Sequence, residues 1–298
     1  MFNFQLVCNI IPFFCLISTT CSSQKLQVDV DYGWQKVDMT WSISKKNQPY
    51  KISELEWKKI KSSRYNLSAD YQLSNHLIIG SNISFSKTYS GSVRDIDYSE
   101  YEPYGIISDQ QYSSQKGTSD EISLYANYLL ATSKDHKSFF GTTVGLYTHD
   151  QKFFLLGTVY QQDDLNSSYK NKWIGGLFGF NGKLALGRIA FTEKVNLGLL
   201  IYQAKANWNL IDEFSQPDSF KHNAKGYMYS STSAISLRLS KKISALYRFS
   251  IKSMKTWNGE DILFYKNGTT SSSQLNAVNQ LEINNTFGLS LIFDGTKR

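Results

Sequence analysis

The stretch LEINNTFGLSLIF, residues 281–293, is the part of the sequence that decides the fold. Its odd-numbered positions are apolar except for Asn285, and its even-numbered positions are polar or small until Ile292. An alternation of period two over this length predicts a β-strand with one apolar and one polar face. The strand is longer than the five or six residues typical of soluble proteins, and it covers the roughly 9–11 residues that cross a bilayer at a tilt.

The same alternation recurs in residues 77–89 and 195–201, where the apolar side chains again occupy odd-numbered positions. Short polar connections between such segments alternate with long ones rich in Ser, Asn, Gly and acids, an arrangement typical of outer-membrane barrels. The sequence therefore predicts about ten strands. They cover residues 26–44, 50–72, 75–90, 119–133, 138–161, 171–191, 195–210, 226–239, 243–257 and 275–293.

The composition agrees with this interpretation. The 298 residues include 19 Tyr, 18 Phe and 6 Trp but only 4 Pro, and no run after residue 24 approaches the ~18 apolar residues of a membrane helix. We therefore predict an all-β, antiparallel transmembrane β-barrel with long extracellular loops in a bacterial outer membrane. A soluble ten-stranded sandwich is the alternative. The formal net charge of +7 suits an anionic surface such as lipopolysaccharide.

Residues 1–24 carry no charged side chain and are rich in Phe, Ile and Leu, which predicts a signal peptide that is removed. Residues 25–298 would then form a single barrel domain. All three cysteines, Cys8, Cys15 and Cys21, lie in the leading segment, so disulfides are not expected to stabilise the exported chain. Lipidation of Cys21 is an alternative interpretation of the leader.

Three aspartates are candidate site residues. Asp95 lies 18 residues after the start of the predicted strand at Leu77, and Asp212 lies 17 residues after the start at Val195. At ~3.3 Å per residue and a ~45° tilt, each segment rises about 40 Å, well beyond an apolar band of ~25 Å. Asp95, its neighbour Asp97 and Asp212 should therefore stand at similar height near the long loops, as in a shared site.

Strand parity places these acids differently. On the strand from Val195 the lipid-facing positions are odd, so Asp212 and Phe214 are predicted to face inward. On the strand from Leu77 the same rule turns Asp95 and Asp97 outward, unless a bulge at Gly91 reverses the faces. Parity alone leaves both interpretations of this acidic pair open: a solvated loop or part of a site.

Four segments resemble the corresponding parts of omptins, a family of ten-stranded outer-membrane proteases. They are KISELEWK (51–58), IIG (78–80), RDIDY (94–98) and IYQAKANWNLIDEF (201–214). The order of the segments also agrees with that family, over nearly all of the chain after residue 24. The resemblance implies a ten-stranded barrel whose cleft opens above the bilayer.

Omptin chemistry uses an Asp pair on one wall of the cleft and an Asp–His pair on the other to activate a water molecule. By resemblance, Asp95 and Asp97 correspond to the first pair and Asp212 to the aspartate of the second. The position of the family histidine is Phe214 in this chain. Phenylalanine cannot accept a proton from water, as histidine can near neutral pH.

The omptin substrate pocket also departs from the pattern. Its acidic residue two positions before the aspartate corresponds to Leu210, and Asp38 is the candidate for the acidic residue on its first strand. His149, on the inner parity of its strand, and His222, in the predicted loop with Asp212, are candidates to replace the missing histidine. Alternatively, Asp212 and the acidic pair could share a proton and activate water without histidine.

Three functions remain open after the sequence is read: an omptin-like endopeptidase, a catalytically silent barrel that binds a partner or host ligand, and a small porin-like channel. Ten strands are few for an open pore, which usually takes 16–18 strands. The expected partners are outer-membrane lipid, in particular lipopolysaccharide, and a peptide or protein substrate for an active enzyme. Metal-ligand spacings, glycine-rich phosphate loops and nucleic-acid-binding patterns are lacking in the sequence, so we predict no cofactor, metal or nucleic-acid partner.

Overall fold

A computed structural model describes residues 25–46, 48, 50–99, 105–135, 137–157 and 164–294. The predicted signal peptide, residues 1–24, and His136 lie outside these ranges. The strands are β1 (Lys25–Ser44), β2 (Lys51–Gln72), β3 (Leu77–Tyr98), β4 (Ile106–Ser113), β5 (Gly117–Thr132), β6 (Phe139–Leu156), β7 (Asn166–Leu186), β8 (Ile189–Asn207), β9 (Phe220–Arg238), β10 (Ile243–Thr256), β11 (Gly259–Phe264) and β12 (Thr270–Asp294). Within the described ranges, no helix is long and apolar enough to span a membrane.

The twelve strands occupy ten positions around a closed barrel. β4 and β5 pair with successive parts of β3, and β10 and β11 pair with successive parts of β12, so each of these couples fills one position. All neighbours are antiparallel, and β1 pairs with β12 from Lys25↔Asp294 to Ser44↔Gln274, which closes the ring. The prediction of an antiparallel barrel of about ten strands is confirmed.

Some predicted boundaries are wrong. The turn between β7 and β8 lies at Gly187 and Arg188, where Gly187 has a φ of 61°, and residues 192–194, predicted to form this turn, lie inside β8. The predicted long loops 91–118 and 259–274 contain the end of β3, β4, β11 and the start of β12. These strands extend beyond the membrane, where neither face contacts lipid, so their sequence does not alternate.

The outer face carries an apolar belt. Leu199 is 68% exposed, Leu146 66% and Phe287 65%, which a soluble protein would rarely tolerate but a lipid-facing surface requires. At the end nearer the long loops the belt stops at Trp34, Tyr89, Ile174, Ile201 and Tyr227. Beyond these residues the outward positions of β1, β7, β8 and β9 are polar.

Side chains fill the middle of the barrel in two layers. A charge layer consists of Arg64, Glu121, His149, Lys252 and Glu282, all buried. Lys252 Nζ lies 2.7 Å from Glu121 Oε2 and 3.5 Å from Glu282 Oε2, and Arg64 Nη2 donates to Glu121 Oε2 at 3.0 Å. Two cations therefore balance two carboxylates, which is the condition for keeping charges in a buried place.

The second layer, on the long-loop side, is an aromatic cluster. The ring centroids of Trp57 and Tyr169 are 5.3 Å apart, and those of Trp41 and Tyr169 5.9 Å apart, so the rings bridge the barrel from β1 and β2 to β7. The members of the aromatic cluster are Trp41, Trp57, Phe153, Tyr169, Trp173, Tyr202 and Phe220. Towards the short turns, by contrast, the lumen holds a polar cavity of about 180 Å³.

Candidate functional site

The acidic pair turns inward because both strands of its hairpin change face. On β3, Thr88 and Val93 are both buried although five positions separate them, so the inner parity switches between them, around Gly91. On β2 the register with β3 shifts between Lys58 and Ser62. The bulge that parity required at Gly91 is therefore present.

Asp95 and Asp97 lie on the inner face of this wall. Asp95 is directly opposite Leu55, which is fully buried, and Asp97 is opposite Ser53, whose side chain hydrogen-bonds its carboxylate. Residues directly opposite each other in an antiparallel pair point to the same face. Asp95 is half-buried beside the hydrophobic core, whereas Asp97, two residues nearer the rim, is exposed.

Both carboxyls lie beyond Tyr89 and hence outside the membrane-spanning part of β3. Burial, and then repulsion from Asp97, raises the pKa of Asp95 to about 7. Burial also raises the pKa of Asp97, against the lowering effect of its hydrogen bond with Ser53. Asp95 can therefore gain or lose a proton near neutral pH, a property often found at functional sites.

The raised pKa makes the stability of the barrel depend on pH. Because the folded state of Asp95 holds a proton that the unfolded chain has released, the free energy of unfolding should fall as pH rises from about 4 to 7. Replacement by asparagine (Asp95→Asn) should remove this fall. The free energy of unfolding of the variant, relative to that of the native chain, should therefore be about 2 kcal/mol higher at pH 8 than at pH 5. Urea unfolding at both pH values, followed by tryptophan fluorescence, measures it. The control is Asp135→Asn, which changes an exposed residue near the short turns and should leave the pH dependence between 5 and 8 intact. If Asp95→Asn keeps the same pH dependence as this control, the pKa of Asp95 is not raised.

Asp212 and Phe214 do not lie on a strand. β8 ends at Asn207, and the chain then forms compact turns in which Phe214 N–H donates to Ile211 O at 3.1 Å. Asp212 is exposed there, and strand parity does not apply to this residue because the strand has already ended. Phe214 forms an isolated β-bridge with Tyr265, and their rings meet edge to face at 6.2 Å.

The β8–β9 loop lies across the barrel from β3. The two segments therefore occupy the positions of the two opposite walls of an omptin-like cleft. Within the described residues, however, no hydrogen bond joins Asp212 to Asp95 or Asp97, and Leu210 is exposed in the same loop. The side chain that the resemblance places opposite the acidic pair is an aromatic ring, packed on another ring.

Asp38 lies away from this cleft. It projects from the outer face of β1, where its Oδ1 accepts a hydrogen bond of 2.6 Å from the Lys59 backbone N–H and its Oδ2 contacts Lys36 Nζ at 3.2 Å. Lys59 has a φ of 54°, a strained value that a carboxylate acceptor helps to hold. Asp38 therefore stabilises the bulge of β2 at Lys59, where the register of β2 shifts. Its geometry does not fit the predicted role in substrate binding.

His222 lies on the inner wall of β9 and pairs with a residue that the sequence analysis missed. Its Nε2 is 3.2 Å from Asp261 Oδ1, and its Nδ1 is 2.8 Å from Tyr169 Oη, which in turn contacts Tyr202 Oη at 2.6 Å. Strand parity was a signal in the sequence that His222 faces inward, because its neighbours Lys221 and Asn223 have the outward parity. His222 is fully buried beneath Trp41, and its contacts with Tyr169 and Asp261 connect β9 to the aromatic cluster and to β11.

His149 belongs to the charge layer. Its Nε2 contacts Ser119 Oγ at 2.7 Å and its Nδ1 lies 3.5 Å from Glu282 Oε1. With Glu121 and Glu282 it brings three metal-ligand groups within 4.8 Å of one another. Lys252 and Arg64 already neutralise the two carboxylates, so a divalent cation would add unbalanced charge to a buried site.

A row of lysines crosses four neighbouring strands on the outer face of the barrel. Lys152 of β6 is directly opposite Lys170 of β7, Lys170 is opposite Lys205 of β8, and Lys205 is opposite Lys221 of β9. We call these four residues the lysine row. Like charges directly opposite one another destabilise a sheet unless an anion offsets them. Asp218 supplies part of that charge, at 2.7 Å from Lys205 and 3.5 Å from Lys221.

The lysine row stands just beyond the apolar belt. On β7 and β8, Lys170 and Lys205 are four residues from the belt residues Ile174 and Ile201, which corresponds to a height of about 10 Å along a tilted strand. This height is close to the polar headgroup region. The row can therefore contact the phosphates of an anionic lipid.

The closed antiparallel ring, its apolar belt and its polar or packed lumen define the chain as an outer-membrane β-barrel. The family model described as Protochlamydia outer membrane protein (Pom) matches residues 29–279, and the chain belongs to this family. A comparison with curated proteins found no similar sequence.

Among similar solved structures, one supports the same fold. The outer membrane protease OmpT from Escherichia coli is similar with a TM-score of 0.74 at 14% identity, covering 92% of this chain and 99% of that one. The outer membrane protein OprG from Pseudomonas aeruginosa has a TM-score of 0.40 at 10% identity, covering 91% of this chain and 97% of its own. The likeness to OmpT shows a common fold and, at this identity, nothing more.

Proposed function

We propose that the chain is a divergent omptin-like barrel that binds a cationic peptide segment at the mouth near its long loops without cleaving it. The observation that carries the proposal is the inward-facing pair Asp95 and Asp97 opposite a loop in which Phe214 packs on Tyr265. The pair supplies negative charge on one wall. The other wall lacks a proton acceptor at the position where omptins have histidine.

Hydrolysis of a peptide bond needs a base that removes a proton from the attacking water. A phenyl ring cannot do so, and losing one member of a catalytic unit typically removes several orders of magnitude of rate. His222 and His149, the two candidates to replace that base, are fully buried. Binding without cleavage is therefore the function that this geometry supports best.

Negative charge at the mouth favours a cationic ligand. Asp95 and Asp97 face inward on β3, and Asp212 and Glu213 are exposed in the loop across the barrel. An arginine or lysine side chain between the walls would find carboxylates on both sides. Its charge would also favour the deprotonated form of Asp95, so binding should strengthen as pH rises through about 7.

One observation favours proteolysis as a second candidate. With a pKa of about 7, Asp95 can itself accept a proton from water at neutral pH, as one member of a carboxylate pair. For a porin-like channel we find no comparable support, because the charge layer and the aromatic cluster fill the middle of the lumen.

Hydrolysis and binding can be tested together on the barrel reconstituted in lipopolysaccharide. The probe is a ten-residue peptide with arginine at every second position and threonine between. We expect binding without cleavage, at least tenfold weaker binding for Asp95→Asn with Asp97→Asn, and unchanged binding for the control Asp135→Asn. Phe214→His should add slow cleavage if only the base is missing.

Two results would contradict the proposal. Cleavage by the native chain that Asp95→Asn abolishes would establish the second candidate, a working protease. Binding that is equal in the native chain, the double variant and the control would remove the acidic pair from the site.

We also propose lipopolysaccharide as the lipid partner, with the long loops facing the cell exterior. The lysine row supports this, because four neighbouring lysines just above the belt match the phosphates of such a lipid. The outer leaflet is the place where this lipid would meet the long-loop end of the barrel.

A further inference from the structure

Three lysines form a second cationic surface on the outer face, across β1, β2 and β3. Lys36 of β1 is directly opposite Lys61 of β2, and Lys87 of β3 is directly opposite Ser63, the neighbouring outward position of β2. We call Lys36, Lys61 and Lys87 the lysine triplet. The adjacent position on each of the three strands is buried, so the lysines themselves point outward. These buried neighbours are Gln35, Ser62 and Thr88.

The triplet lies where the apolar belt ends on the long-loop side. On β1, Lys36 is two residues beyond the belt residue Trp34, and on β3, Lys87 is two residues before the belt residue Tyr89. Two residues correspond to a height of about 5 Å along a tilted strand. The long stem of a lysine can lie on the belt while its ammonium group reaches the headgroups. The three charges can therefore meet at the height of lipid phosphates.

A short polar side chain lies at the centre of the triplet. Ser63 is opposite Lys87 and two positions from Lys61 on its own strand, and its hydroxyl group can donate a hydrogen bond to an anion. Exposed aromatic side chains surround this point: Trp34, Tyr65, Phe85 and Tyr89. Aromatic rings of this kind are typical of the interface between a membrane and water. The combination suits the headgroup of a lipid that carries phosphate.

The charge of the triplet favours one kind of phosphate. Like charges that are directly opposite, as Lys36 and Lys61 are, destabilise a sheet unless an anion offsets them. Asp38 supplies part of this charge, with its Oδ2 at 3.2 Å from Lys36 Nζ. Three lysines against this carboxylate leave an excess of two positive charges. A phosphate monoester carries about 1.5–2 negative charges at pH 7 and would offset that excess, whereas the phosphodiester of a phospholipid carries only one.

The lysine triplet faces away from the lysine row. In the ring, β4 and β5 separate β3 from β6 on one side, and β10, β11 and β12 separate β9 from β1 on the other. We propose that the lysine triplet is a second lipopolysaccharide site, at which a phosphate monoester lies over Ser63 between the lysines. The inference rests on the proposed lipid partner and adds a second lipid molecule on the opposite side of the barrel.

The test counts lipid molecules on the barrel by native mass spectrometry. The probe is the lipid A part of lipopolysaccharide, in the form with two phosphate monoesters, titrated into the detergent-purified barrel. We expect two bound molecules on the native chain and one on the variant Lys36→Gln, Lys61→Gln, Lys87→Gln, whose affinity for the second molecule should fall at least tenfold. The molecule that stays on the lysine row shows that this variant is folded. The control Lys134→Gln, Lys241→Gln, Lys242→Gln makes the same change in charge near the short turns and should keep both molecules.

Two molecules on the triplet variant, or an equal loss from the control, would overturn the second site and leave the lysine row in place. A native barrel that binds no lipid A would overturn both lipid sites. Phosphatidylglycerol in tenfold excess over lipid A should not displace the second molecule, because its phosphodiester carries a single charge. Displacement would assign the triplet to an anionic phospholipid and overturn lipopolysaccharide as its ligand.

Discussion

Replacement of Glu282 by alanine is expected to lower the free energy of unfolding by about 3–5 kcal/mol, because it leaves the two buried cations, Arg64 and Lys252, with one carboxylate between them and hence one charge uncompensated. Glu282 is fully buried and lies 3.5 Å from Lys252 Nζ. It also accepts hydrogen bonds from Gln280 at 2.7 Å and Gln151 at 3.3 Å. These donors would lose their acceptor at the same time as Lys252 loses a counter-charge.

The loss should be recovered when the partner charge is removed as well. The double variant Glu282→Leu with Lys252→Met exchanges two charges for apolar side chains and should be within about 1–2 kcal/mol of the native chain. Urea unfolding in lipid vesicles, followed by tryptophan fluorescence, measures all variants. Glu260→Ala is the control, since that carboxylate is 47% exposed and its ion pair with Lys46, at 3.8 Å, is long and exposed to solvent. A Glu282→Ala variant as stable as the control would mean that the charge layer is hydrated.

Replacement of all four residues of the lysine row by glutamine should weaken lipopolysaccharide binding by about 4 kcal/mol at most, or three orders of magnitude, at roughly 1 kcal/mol per lysine. The change removes the positive charge but keeps polar side chains of similar length. Lipopolysaccharide retained by the detergent-purified barrel measures the effect. Raising the salt concentration should weaken the native chain more than the variant, because the lost interaction is electrostatic.

A matched control lies at the other end of the barrel. Lys134, Lys137, Lys241 and Lys242 are near the short turns, so their replacement by glutamine makes the same change in net charge. It should leave lipopolysaccharide binding unchanged. Equal losses from the two sets would show that overall charge, rather than the lysine row, attracts the lipid.

The fold was predictable wherever one face of a strand meets lipid. In residues 281–293 a polar lumen and an apolar membrane impose opposite demands on alternate residues, so the sequence shows the strand and its length. β4 and β11 meet no lipid, and their sequences, IISDQQYS and GEDILF, lack that alternation. Their existence follows from pairing with β3 and β12, which no local pattern shows.

The site was less predictable for two physical reasons. Parity fails at bulges, and the direction of Asp95 depended on a change of face that Gly91 suggested but that only pairing with Leu55 establishes. Parity also fails at strand ends, as at Asp212. The contact of His222 with Asp261 depends on the register between β9 and β11, which brings together residues far apart in sequence.

The pairing of β1 with β12 has a consequence for how the chain assembles. Lys25 and Asp294 lie at opposite ends of the described chain yet are neighbours in the sheet. The seam between them can be sealed only after the carboxyl-terminal strand has been synthesised and delivered, so its contacts have the highest sequence separation in the molecule. Because loop-closure entropy must be paid before such contacts form, sealing is expected to be a late and slow step. Until then the first strand keeps an open edge, whose unpaired backbone groups can pair with other molecules.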